Sequence, residues 1–314
     1  MRILFATDGS QSANRAQDLL ASLAWPVETH FCVGCAVASR SELFATPWPV
    51  PYTGDVDALD DEARRHAQVA LEHAERALEG AGRTVDCITF TGRPASAIVE
   101  EARTWHPDLI VLGSRGHGPF ATMLLGSVSA EVVDHAPCPV MVVRSSQIDG
   151  LIFAEDGSPG AAHAAEVIRS WPVLHDVPLE VVSVCAIGIP WSAGMPAGLY
   201  DEVMETYVED VDAARAAAGK LASTTAHEFS RAGLHATSLA LEGDPAHTIV
   251  EYAHGRPNAL IVMGTRGHGG LARALLGSVA RNVLLHAPNS VLIVREKVAP
   301  AGSEEHRTPV GTSA

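Results

Sequence analysis

Glycines set at fixed gaps around an arginine are the residues best placed to do chemistry. Gly113 is followed by Gly116 after two residues and by Gly126-Ser127 after nine more. Gly264, Gly267 and Gly277-Ser278 repeat the same gaps. Glycines let backbone N–H groups approach an anion closely. A serine that opens a helix sits where free N–H groups and a partial positive charge favour phosphate. Arg115 and Arg266 add a cation within each loop. The chemistry predicted is the holding of a small anion, phosphate above all. The alternative is a plain strand-to-helix connection in which the serines are ordinary caps.

These loops belong to a larger repeat. Residues 113–144 and 264–295 are identical at 18 of 32 positions, at an offset of 151. TGRPASAIVEEA (91–102) matches EGDPAHTIVEYA (242–253) at that offset, and ATDGS (6–10) matches AEDGS (154–158) at an offset of 148. The order of blocks is the same in both halves, so one domain of about 145 residues is duplicated in tandem. The predicted boundaries are 1–145 and 148–296, with a polar tail at 297–314 read as mobile.

Each half alternates strand and helix signals. RILFAT (2–7) is a short apolar run that ends in Asp-Gly-Ser. Residues 10–23 have helical spacing. Strands are predicted at 31–38, 84–90, 108–113 and 140–144. Helices are predicted at 57–80 and from Pro94 to about 103, with another opened by Ser127. The second half places its strands near 150–155, 179–187, 235–241, 259–264 and 290–295. Continuous apolar strands with helices between them imply a parallel sheet covered on both faces. The predicted class is α/β: two tandem open doubly wound domains, each a five-stranded parallel sheet with helices on both faces. In such sheets ligands bind beyond the carboxyl ends of the strands, near the switch in strand order. The glycine loops follow such ends.

Composition narrows the function. The chain has 314 residues, 47% apolar and 19% charged, which suits two buried cores. Its 22 Lys plus Arg against 37 Asp plus Glu give a formal charge of −15, which disfavours nucleic acid and anionic membranes. No apolar stretch approaches a membrane span of about 18 residues, and the opening run is too short for a signal peptide. A cytoplasmic protein is expected. The five scattered cysteines do not suggest a disulfide framework.

The loop pattern, its place after a hydrophobic fourth strand and the Asp that ends the first strand together resemble the universal stress protein family. The likeness covers about residues 1–145 and 148–296, as in a tandem member of its ATP-binding branch. It implies that Gly113, Gly116, Gly126 and Ser127 hold phosphates and ribose, with Gly264, Gly267, Gly277 and Ser278 as their counterparts. It places Asp8 and Asp156 near the adenosine and assigns a backbone contact with adenine to Ala36 and Ala186. There the family's usual His-Val is replaced by Cys35-Ala36 and Cys185-Ala186. Thr7 in the first half becomes Glu155 in the second, a carboxylate able to repel a triphosphate or to help recruit Mg²⁺. The first site is expected to bind at least as well as the second. The likeness also implies that 140–144 and 291–295 pair within the chain and leaves room for a homodimer.

Other candidates carry less. Cys32 and Cys35 form a CxxC, but within a strand, where residues three apart face opposite ways; a core role is expected. His117 and His268 allow a base or phosphate contact, and we favour solvated side chains. His135 and His286 are read as caps on helix-end carbonyls. The Pro/Trp stretches at 46–52 and 190–196 are either a lid or plain surface loops. The chain has no GxxxxGK[ST], and TDGSQS is not GxGxxG. The expected function is ATP-dependent regulation in stress response with at most slow hydrolysis. The alternatives are a nucleotide hydrolase or transferase using Asp8, Asp156, His117 or His268, and a nucleotide-free scaffold.

Overall fold

In the computed structural model the described residues are 1–37, 56–80, 82–116, 125–186, 197–265 and 276–295. The first half runs β1 (Arg2–Ala6), α1 (Gln11–Ser22), β2 (His30–Val37), α2 (Val56–Leu78), β3 (Thr84–Thr91), α3 (Pro94–Trp105), β4 (Leu109–Gly113), α4 (Ser127–His135) and β5 (Val140–Val143). The second half runs β6 (Gly150–Ala154), α5 (Pro159–Ser170), β7 (Leu179–Cys185), α6 (Ala197–Arg231), β8 (Ala236–Glu242), α7 (Pro245–His254), β9 (Ala259–Gly264), α8 (Ser278–His286) and β10 (Val291–Val294).

Local signals explain the helix starts. Ser10 accepts the Ala13 N–H at 3.3 Å and Ser158 accepts the Ala161 N–H at 3.1 Å, each satisfying an orphan donor of the first turn. Asp244 caps α7 in the same way through the His247 N–H at 2.9 Å. Proline opens α3, α5 and α7, where its missing N–H costs nothing.

All ten strands form one sheet, in the order β3-β2-β1-β4-β5-β10-β9-β6-β7-β8. Pairing is parallel within each half. At the seam β5 and β10 run antiparallel, with Val291 opposite Val142, Leu292 opposite Met141 and Ile293 opposite Val140. Successive residues on a strand serve different faces. Ile3 and Phe5 join a core with α1, α2, α5 and α6. Leu4 joins the other core, with α3, α4, α7 and α8. Each core holds residues of both halves, so the seam strands, buried along their whole length, are continuous with the interior. Burying these strand edges removes a template for pairing with other chains.

Within each half the first strand lies between the second and the fourth. The chain therefore leaves β1 and β4, or β6 and β9, in opposite directions across the sheet. The crevice that opens at that switch is where the glycine loops begin.

Candidate functional site

Above β6 and β9 a cavity of about 320 Å³ opens. Val182, Val184, Ile249 and Met263 give it apolar walls; Glu155, Asp156, Ser158 and Thr265 line its polar side. Gly277, Ser278, Val279 and Ala280 bring the start of α8 to it. That volume is at the lower end of small-molecule sites, and the mix of apolar walls with a few polar groups is typical of them.

The start of α8 differs from the capped helices. Gly277 holds the cap position in extended backbone and offers no side-chain acceptor. Gly126 does the same for α4. The first-turn N–H groups of both helices therefore face the crevice without a side-chain cap, which suits an incoming anion. Both loops are pinched shut in the same way. The Gly126 N–H donates to the Ser114 carbonyl and the Gly277 N–H to the Thr265 carbonyl, each at 2.7 Å.

The glycines divide the work. A Cβ on Gly113 would sit 2.6 Å from the Ser12 carbonyl carbon, and one on Gly264 would sit 2.5 Å from that of Gly160. These two are glycine because the first helix of each half crosses against the fourth strand there. A Cβ on Gly116 would instead lie 2.5 Å from a carboxylate oxygen of Asp8. Gly116 and Asp8 thus meet at the crevice of the first half. Asp8 also accepts the Ser10 N–H at 3.0 Å, and Ser10 donates its hydroxyl to the Arg115 carbonyl at 3.1 Å. The cap of α1 and the glycine loop are one hydrogen-bonded unit. In the second half Asp156 accepts the Ser158 N–H at 3.0 Å. Arg266 and Gly267 lie outside the described residues, as do His117, His268 and the stretches 46–52 and 190–196.

The register corrects one equivalence. Ala6 lies opposite Gly34 and Ala154 opposite Val182; Thr7 N–H donates to Gly34 as Glu155 N–H donates to Val182. Ala36 therefore corresponds to Val184, and Ala186 to a position outside the described residues. The match of Cys35-Ala36 with Cys185-Ala186 is two residues out. Ala36 is half-buried beside the second core, and Ala186 is exposed just past β7. The shift shows a difference between the halves. At the position of Val182 the first half has Gly34, with the ring of Phe90 lying over it.

Glu155 is buried, at 7% exposure. One carboxylate oxygen accepts the Gly157 N–H at 2.7 Å, and the other accepts the Thr225 hydroxyl at 3.3 Å. Burial pushes its carboxyl above the usual range; these two hydrogen bonds pull the other way, and Asp156 and Glu228 push it further up. Its first-half counterpart, Thr7, accepts the Gly9 N–H at 3.2 Å without a charge.

Other side chains settle into structural roles. His135 and His286 face the Glu131 and Asn282 carbonyls at 2.9 and 2.8 Å, as helix-end caps. Cys32 belongs to one core and Cys35 to the other, on opposite faces of β2. The sequence did not single out Ser10 as the loop's anchor, nor the walls Val182, Val184, Ile249 and Met263. The Asp-Gly-Ser turn was the available signal for Ser10. The walls carry no signal beyond apolarity.

The comparisons agree with this architecture. The model of the universal stress protein family matches residues 1–144 and again 150–295. A universal stress protein of Mycobacterium tuberculosis is 32% identical over 259 residues, covering 79% of this chain and 81% of its own. One of Thermus aquaticus is 38% identical over 146 residues, covering 45% of this chain and 97% of its own. The crystal structure of a universal stress protein from Archaeoglobus fulgidus shares the fold, with a TM-score of 0.60 at 20% identity over 94% of this chain and 98% of that one. Two matches of the family model, placed end to end on one continuous sheet, show that the chain is a tandem member of the universal stress protein family.

Proposed function

We propose that the chain binds adenine nucleotide, ATP in the first instance, and that occupancy regulates a partner in stress response rather than driving rapid hydrolysis. The observation that carries this reading is the cavity above β6 and β9, lined both by apolar side chains and by the uncapped start of α8. An apolar slot fits a base, and helix N–H groups fit phosphate. In the second half Val182 and Val184 would flank the base, Asp156 would face the ribose, and Gly277 and Ser278 would hold phosphate. In the first half Asp8, Gly116, Gly126 and Ser127 would do the corresponding work, with Arg115 as the nearby cation and Gly113 fixing the helix beneath. Among the described residues no cluster of three or more His, Cys, Asp or Glu could hold a metal. Mg²⁺ would arrive on the phosphates, as it usually does.

The test is a calorimetric titration of the full chain with Mg-ATP and with AMP, repeated on Gly126→Asp. Gly126 has extended backbone that any residue can adopt, and a Cβ there meets nothing closer than 3.4 Å. Asp at that position would cap α4 itself and put a negative charge where phosphate should sit. The variant should fold as well as the parent and lose binding in the first half. Unchanged binding in Gly126→Asp would remove the helix N-terminus from the site.

A further inference from the structure

Each half lends the other one arginine. Arg144 follows β5 and crosses the seam. Its Nη2 donates to the Leu284 carbonyl at 2.6 Å and its Nη1 to the Asn289 carbonyl at 2.9 Å. Its backbone N–H donates to the Ser290 hydroxyl at 3.0 Å. Arg295, which follows β10, makes the reciprocal crossing. Its Nη2 donates to the Val133 and Asp134 carbonyls at 2.9 and 3.1 Å. The Leu284, Val133 and Asp134 carbonyls belong to the last turns of α8 and α4, where no intrahelical partner is available, and the Asn289 carbonyl lies between α8 and β10. A cation there also meets the negative end of the helix.

What makes the exchange functional is where these helices begin. α4 and α8 are 9 residues long, a rigid rod of about 13 Å. Each ends under the other half's arginine and starts at its own half's glycine loop. The arginines are in turn held by their own loops. Ser114 N–H donates to the Val143 carbonyl at 3.0 Å, one residue before Arg144, and Thr265 N–H donates to the Val294 carbonyl at 3.1 Å, one residue before Arg295. A continuous path therefore leads from the loop of one half, through its arginine, along the opposite helix to the other crevice.

We infer that Arg144 is a positioning residue for the crevice of the second half, and Arg295 for that of the first, so that neither half completes its site alone. This rests on the nucleotide reading for the identity of the ligand, but not for the positioning. The arginine keeps its charge at neutral pH: burial, with the neighbouring Arg115, pushes Arg144 down only to about 10.

The experiment uses the full chain with Arg144→Gln, Arg144→Lys and Arg295→Gln. Two quantities are read: amide hydrogen exchange in 127–135 and 278–286 without ligand, and photolabelling by 8-azido-ATP mapped to each half. Losing one charged hydrogen-bond donor should change an opening or binding equilibrium roughly tenfold. Arg144→Gln is expected to speed exchange in 278–286 by about that factor and to lower labelling of the second half alike, with the first half unchanged. Arg295→Gln should do the reverse, and Arg144→Lys, which keeps the charge, should fall between. Ser145→Ala is the control, since Ser145 crosses the same seam to Asn258 at 2.8 Å and neither residue lies on α4 or α8. Equal effects on both halves, as in that control if the seam merely loosens, would overturn the inference; so would no effect on either. Crossed exchange effects with no labelling of the parent chain would uphold the positioning and overturn the nucleotide reading alone.

Discussion

Thr225 donates its hydroxyl to the buried carboxylate of Glu155 from a helix 70 residues away in sequence. The pair fastens α6 to the turn that leads from β6 into α5. The hydroxyl of Thr7, the first-half counterpart of Glu155, accepts the Gly9 N–H within its own turn. The two crevices thus share a plan and differ in charge.

That difference sets a pH dependence. Burial raises the Glu155 carboxyl above its ordinary 4.5, so the folded chain binds its proton more tightly than the unfolded chain. Stability from this group is fully present below about pH 4.5 and is lost as pH rises through the higher folded value. Glu155→Gln, which cannot ionise, should be the more stable protein at pH 7, and the gap should close as pH falls towards 4.5. Denaturant melts of both proteins across that range check this; a gap independent of pH would contradict it.

The glycines should separate by role. Gly113→Ala puts a methyl group against the α1 backbone, which cannot yield, and should cost about 1–3 kcal/mol. Gly116→Ala meets only the end of the Asp8 side chain, and its stability should stay within about 0.5 kcal/mol of the parent. Its binding should fall, because Asp8 must turn away. Thermal melts paired with titrations check both.

The thiols should be inert. Burial pushes Cys32 up to about 12 and Cys35 and Cys87 up to about 11, with nearby carboxylates adding to the rise. Little thiolate exists at neutral pH, and thiolate is the reactive form. Reaction of the native protein with a chromogenic disulfide should be slow and led by Cys87, which is exposed; all five cysteines should react after denaturation. Rapid loss of two thiols from Cys32 and Cys35 would revive a redox role for the pair.

The duplication made the fold readable. Two copies of each apolar run fixed strands such as Leu109–Gly113 and Ala259–Gly264, and the glycine gaps led to the crevice at their ends. The roles within the pattern were less readable. Gly113 is glycine because of Ser12, a contact between elements 101 residues apart, and no local spacing reveals that. The Cys-Ala pairs invite an alignment of β2 with β7 that is two residues out, because the strands differ in sequence and carry no shared marker; only the ladder with β1 and β6 fixes it. Glu155 showed up as a charge change from Thr7, but its burial depends on α6 packing above it.

The most direct measurement is the adenine nucleotide carried by the chain. The protein is purified without added ligand, saturated with Mg-ATP, freed of excess and denatured, and the released nucleotide is quantified per chain by chromatography. The account predicts bound ATP, between one and two per chain, largely unhydrolysed. No nucleotide after saturation would contradict it and leave the paired halves as a scaffold. Release of ADP alone would contradict the regulatory reading and point to an enzyme.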